Sequence, residues 1–133
     1  MLLYLVKNKY LNFDTIVFSN SIYYLEYEKI IQILNIIKKK NIKKNFIIFF
    51  RIRLNGDYRI KISKKIKKNT YLITRDDTNE LGCVNTFFTE KSFLKLIKSI
   101  FKIRVNYSLK ITYDNLIKNK IIPGNDLILW FKL

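Results

Sequence analysis

Apolar residues recur along this chain at two spacings. Between residues 25 and 40, Tyr27, Ile30, Ile31, Leu34 and Ile37 return every three or four positions, and Ile33 and Ile36 widen the stripe. That period predicts an amphipathic helix. Lys38, Lys39 and Lys40 fall in its last turn, where cations meet the negative end of the helix dipole, and Asn41 follows where a left-handed residue would close it. A second stripe, Phe93, Leu94, Ile97, Ile100 and Phe101, predicts a helix over 92–101. Leu2, Leu5, Val6 and Tyr10 predict a shorter one over 2–11.

Two-residue alternation and β-branched or aromatic runs predict strands at 15–18, 46–53, 58–63, 70–74, 86–89, 102–107 and 127–132. In the third of these, Tyr58, Ile60 and Ile62 alternate with Arg59 and Lys61, giving one apolar and one basic face. Asn55-Gly56 is a favoured type I′ pair and predicts a hairpin joining 46–53 to 58–63. Residues 64–69 read as a charged connector, 75–85 as an exposed loop, 108–110 as a turn and 112–119 as a short helix. Pro123-Gly124-Asn125-Asp126 reads as a turn before the last strand. There Leu127, Leu129 and Phe131 alternate with Ile128 and Trp130, so both faces are apolar and the strand should be central or covered. The order is α-β-α-β-β-β, then β-α-β-α-β. It predicts an α+β fold of two small domains, an N-terminal α/β unit over 1–69 and a C-terminal sheet-based unit over 70–133.

Charge changes the picture from fold to partner. Against 26 Lys and Arg stand 10 Asp and Glu, a formal net charge of +16 in 133 residues. Such an excess repels itself and attracts phosphate. The cations fall in bands: Arg51, Arg53, Arg59 and Lys61 on the expected hairpin, Lys64, Lys65, Lys67 and Lys68 in the connector, and Lys102, Arg104 and Lys110 near the C-terminal turn. Tyr107, Ser108 and Lys110 place an aromatic, a hydroxyl and a cation within four positions, a combination suited to RNA. Hydrophobic residues at 49% supply a core. The skew toward Ile, Lys, Asn, Phe and Tyr, with no Ala, points to an AT-rich genome such as an organellar one.

Catalytic signals are sparse. There is no His, the commonest general base and metal ligand. The three Gly are scattered rather than gathered in a phosphate loop. Asp76-Asp77 reads as a pair of solvated turn residues, and the lone Cys83 forms no internal disulfide. No cofactor and no metal site are expected.

The ending Gly124-Asn125-Asp126-Leu127-Ile128-Leu129-Trp130-Phe131 resembles that of the small-subunit ribosomal protein eight family, which closes on a Gly-Gly-Glu turn and an apolar strand with a penultimate aromatic. The family's first half also has an initial helix, a strand, a Ser-rich turn (here Ser19-Asn20-Ser21), a long helix and a hairpin. The chain departs from the family at Cys83-Val84, where a Pro-Gly is usual. It departs again at Tyr107-Ser108-Leu109-Lys110-Ile111, where the family has Ser-Thr-Ser-x-Gly. The resemblance implies a non-catalytic constituent of the small ribosomal subunit, bound to the central domain of its rRNA and placed in a mitochondrial ribosome. Tyr107, Ser108, Lys110 and Thr112 would touch RNA, beside Arg51, Arg53, Arg59, Lys61, Lys64 and Lys65. Partners would be that rRNA and neighbouring small-subunit proteins, protein five first, with no membrane and no small-molecule substrate. The alternative is a small nucleic-acid-processing enzyme or its basic RNA-binding subunit, with Asp76, Asp77 and Asp114 brought together.

Overall fold

The computed structural model describes residues 14–40 and 45–133, so the expected helix over 2–11 and the closing Asn41 lie outside the described residues. The α+β class holds: the described residues form two α-helices and two sheets. Strand β1 (Thr15–Ser19) leads through a 3-10 turn, Ile22–Tyr24, into helix α1 (Tyr27–Lys39) and then β2 (Ile47–Arg53). A second 3-10 segment, Tyr58–Ile62, precedes β3 (Ser63–Lys67), β4 (Thr70–Ile73) and β5 (Val84–Thr86). Helix α2 (Glu90–Phe101) follows, then β6 (Tyr107–Ile117) and β7 (Lys120–Lys132).

The larger sheet has the order β1-β2-β7-β6. Strands β1 and β2 are parallel, and β7 runs antiparallel to both β2 and β6. The sheet therefore takes strands from both sides of residue 69. One face is closed by the helices. Ile16, Phe18, Ile48, Phe50, Ile52, Leu127, Leu129 and Phe131 meet Ile30, Ile33, Leu34 and Ile37 of α1 and Phe93, Ile97, Ile100 and Phe101 of α2 in one core. Phe50 is its hub, with ring centroids 5.0 Å from Phe18, 5.4 Å from Phe93 and 6.1 Å from Phe131. Each such buried side chain contributes roughly 1.5–3 kcal/mol.

Local chemistry fixes the helix starts. Thr89 accepts from the Ser92 backbone N–H and Ser92 Oγ accepts from the Thr89 N–H, a reciprocal cap that starts α2 two residues before the expected position. The Glu26 cap of α1 makes no such side-chain bond; instead the Tyr27 N–H donates to Thr70 Oγ1 at 3.2 Å. Thr70 and Thr86 pair across β4 and β5, and Thr86 Oγ1 donates to the Leu25 carbonyl at 2.7 Å. The small sheet, β3-β4-β5, is thereby tied to the segment that opens α1.

Several local expectations are corrected. The 46–53 strand does not pair with 58–63; β2 lies between β1 and β7, and 58–62 is a 3-10 segment. Neither Asn55 nor Gly56 has the positive φ that a type I′ turn demands. That geometry occurs at Lys118 and Asn119, with φ of 49° and 59°, which join β6 to β7. The helix expected over 112–119 and the turns at 108–110 and 123–126 are all parts of this long hairpin. Pro123 is tolerated because β2 ends opposite Asp126, leaving β7 with a single ladder at Pro123. Residues 64–67 are strand rather than connector, an edge strand whose exposed lysines discourage further pairing. Residues 102–106 precede β6 instead of forming a strand. The last strand is central, as its two apolar faces require.

Candidate nucleic-acid interface

The cations of the described residues divide into a buried group, Arg53 and Arg59, and a larger group at the surface. Arg53 ends β2 with its side chain 4% exposed. It donates to Glu80 at 2.9 Å, to the Tyr23 hydroxyl at 2.9 Å and to Asn85 Oδ1, and lies 3.8 Å from Asp57. Arg59 donates through Nε to Glu80 at 2.7 Å and lies 3.3 Å from Asp57. Two arginines thus balance two carboxylates. Burial alone would lower the Arg53 pKa, but the attraction of Tyr23, Glu80 and Asp57 outweighs it, so the net shift is upward. Burial pushes the Tyr23 phenol up. Arg51 is half-buried on the open face of the sheet, donating to Asp126 at 2.7 Å.

This corrects the sequence reading of Arg53 and Arg59 as phosphate contacts: both are buried and their charges are answered by Asp57 and Glu80. A period of two over 58–63 would put Arg59 on an exposed face; the 3-10 segment points it inward instead. Lys61, Lys64 and Lys65 are exposed, beside the small sheet or on its edge.

Tyr107, Ser108, Lys110 and Thr112 all lie on β6, the outer strand of the larger sheet, and all are exposed. Tyr107 and Ser108 open onto a cavity of about 650 Å³ whose rim carries Lys98, Lys102 and Arg104. Lys110 instead lines a smaller cleft of about 160 Å³ beside Glu90 and Asn125. Thr112 stands opposite Asn125, one alternation beyond Lys110. The structure therefore adds Lys98 to the band of Lys102 and Arg104 beside Tyr107 and Ser108, and turns Lys110 away to a separate cleft.

The sequence bands include Lys102 but not Lys91, Lys95 and Lys98, which share its side of α2. Lys91, Lys95, Lys98 and Lys102 follow the same helical period as the buried stripe, and all four are exposed. None has an ion-pair partner among the described residues. The signal was present in the stripe that predicted the helix, seen from its other face.

Asp76 is engaged by Lys118, while Asp77 accepts from Tyr58 and pairs with Arg75 and Lys120. Among the described residues, no group of three His, Cys, Asp or Glu is placed to hold a metal ion, and Asp114 joins neither aspartate in one. Among the same residues, no helix is long and apolar enough to cross a membrane.

No protein-family model and no curated protein matches the chain. Solved structures do. The chain is similar to a SAM-dependent methyltransferase from Methanosarcina mazei, at 14% identity and a TM-score of 0.61, over 96% of this chain and 63% of that one. It spans less than two thirds of that protein's length, and the likeness is one of fold. The match overturns the ribosomal-protein resemblance and what was drawn from it: a non-catalytic role, rRNA and ribosomal-protein partners, and the absence of a small-molecule substrate. The terminal motif misled because a polar turn followed by an apolar strand is a local pattern. Here Gly124, Asn125 and Asp126 are themselves strand, paired with Tyr113, Thr112 and Ile111, so no turn precedes Leu127.

Proposed function

We propose that this chain is a methyltransferase-fold component of a nucleic-acid-processing enzyme, in which it supplies the basic surface that holds RNA or DNA. The observation that carries the reading is the fold match over nearly the whole chain, joined to a net charge of +16. Lys91, Lys95 and Lys98 of α2, Lys64 and Lys65 of β3 and Lys110 of β6 face solvent, where phosphate can reach them.

S-adenosylmethionine, the small molecule in the name of the similar structure, enters this reading as methyl donor. In open α/β sheets ligands lie beyond the carboxyl ends of the parallel strands. Here Arg53 and Tyr23 fill the end of β2, and the nearby Asp57 and Glu80 are answered by arginines rather than free for ribose hydroxyls or an amino group. The described residues do not fit the donor by themselves. No step of methyl transfer is assigned to them.

Equilibrium binding of the chain to a labelled oligonucleotide, against an equally acidic polypeptide, tests the nucleic-acid half of the reading. Preference for the oligonucleotide, with affinity falling steeply as salt rises, is expected. Equal binding to both, or binding indifferent to salt, would overturn it.

A further inference from the structure

We propose that α2 and the start of β6 form a track for single-stranded nucleic acid, with Lys91, Lys95, Lys98 and Lys102 on its phosphates and Tyr107 as a platform for one unstacked base. The inference rests on the functional reading above and names the surface that performs it.

The geometry of α2 leaves the lysines one direction. Phe93, Leu96, Ile97, Ile100 and Phe101 are buried against the sheet, so the opposite side of the helix must face solvent. Lys91, Lys95, Lys98 and Lys102 occupy it at successive intervals of four, three and four residues. At about 1.5 Å per residue the ladder runs roughly 16 Å. Each neighbouring pair is like-charged at a spacing that repels on a helix. A helix adapted only to water would mix signs along this face. Here Glu90, at the first position, is the only acidic residue of α2. Phosphates laid along the ladder would relieve all three repulsions.

The ladder leads into the larger cavity. Lys102 closes α2 in the left-handed conformation, with φ of 60°, where glycine or asparagine is usual. It shares the cavity rim with Lys98 and Arg104, while Leu94, Ile103 and Val105 give the cavity an apolar lining. Tyr107 stands at this opening, 45% exposed, with Ser108 beside it. A planar base has apolar faces and a polar edge, which suits an apolar lining, an exposed ring and a hydroxyl. A duplex keeps its bases paired and stacked, so the occupant is single-stranded.

The test is fluorescence anisotropy with the full chain. The probes are a single-stranded RNA, a single-stranded DNA and a duplex of the same sequence, each titrated at several salt concentrations. The Lys95→Gln/Lys98→Gln variant should lose about 1.4 from the slope of log affinity against log salt, at about 0.7 per phosphate on a single strand. The same pair of changes at Lys64 and Lys65 on β3 should cost less. Tyr107→Ala should weaken single-strand binding roughly fivefold to a hundredfold with the salt slope retained, and Tyr107→Phe should restore it. The tighter of the RNA and DNA arms names the ligand. An unchanged slope in the α2 variant, equal losses at α2 and β3, or a duplex bound as tightly as the single strands would overturn the track while leaving the broader reading in place. A wild-type chain that binds none of the three probes would overturn both.

Discussion

The guanidinium of Arg53 sits 4.1 Å from the centroid of the Tyr23 ring and donates to the same tyrosine's hydroxyl at 2.9 Å. One residue ends β2 and the other follows β1, so this contact closes the carboxyl ends of the two parallel strands over each other. Asp57, Arg59 and Glu80 complete the cluster. A chain with so large a cationic excess still keeps two of its arginines for internal structure.

Removing one member of that cluster should be costly. Arg53→Met leaves Glu80 and Asp57 buried with a single arginine between them, a loss of about 3–5 kcal/mol for a broken buried pair. Lys64→Gln, on the exposed edge of β3, should stay within about 0.5 kcal/mol. Denaturant titration of both variants checks the contrast, and equal small effects would show that the arginine core is not structural.

Gly124 faces Tyr113 across β6 and β7, and a Cβ there would overlap the tyrosine ring. Gly124→Ala should destabilise the hairpin by about 1–3 kcal/mol, the usual cost of overpacking. In a Tyr113→Ala background much of that cost should vanish. A double-mutant cycle that returns purely additive losses would contradict the close approach.

The turn between β6 and β7 depends on left-handed backbone at Lys118 and Asn119. Asn119→Gly should preserve or raise the melting temperature. Asn119→Val should cost about 1–2 kcal/mol, because a Cβ-branched residue resists that conformation. If valine were harmless, the segment would have the helical form that its sequence suggested.

Asp77 is held below its ordinary value of 3.8, chiefly by the hydrogen bond from Tyr58, with Lys120 and Arg75 adding to the effect. A lowered carboxylate pKa gives stability that is complete above the ordinary value and is lost as pH falls through the folded one. Wild type should therefore exceed Asp77→Asn in stability at neutral pH, and the difference should disappear as pH drops below 3.8. Paired melts across that range measure it, and a pH-independent difference would contradict the assignment.

Periodicity made some of this structure legible. The stripes around Ile30 and Phe93 gave both helices because a buried helical face leaves its period in the sequence. The two apolar faces of the last strand placed it centrally, as β7 is. Pairing partners were not legible. Nothing local tells Phe50 that its neighbours are Phe18 and Leu129 rather than a residue just past Gly56. Asn55-Gly56 carried the stronger turn signal, yet Lys118-Asn119 makes the turn, because the long ladder of β6 on β7 outweighs local preference. The site was legible in part: Lys102, Arg104, Tyr107 and Ser108 stood out together, but Lys91, Lys95 and Lys98 lie on the helix side opposite the apolar stripe, and Arg53 looked like surface because its carboxylates lie 4 and 27 residues away.

The proposed role on nucleic acid stands or falls with the destination of a labelled methyl group. The native protein is given isotopically labelled S-adenosylmethionine and equal supplies of RNA, DNA and protein. Each acceptor is then digested and read by mass spectrometry. Label is expected in nucleosides from RNA or DNA, diminished by the Lys95→Gln/Lys98→Gln change. Label confined to protein, or absent from every acceptor, would contradict that role.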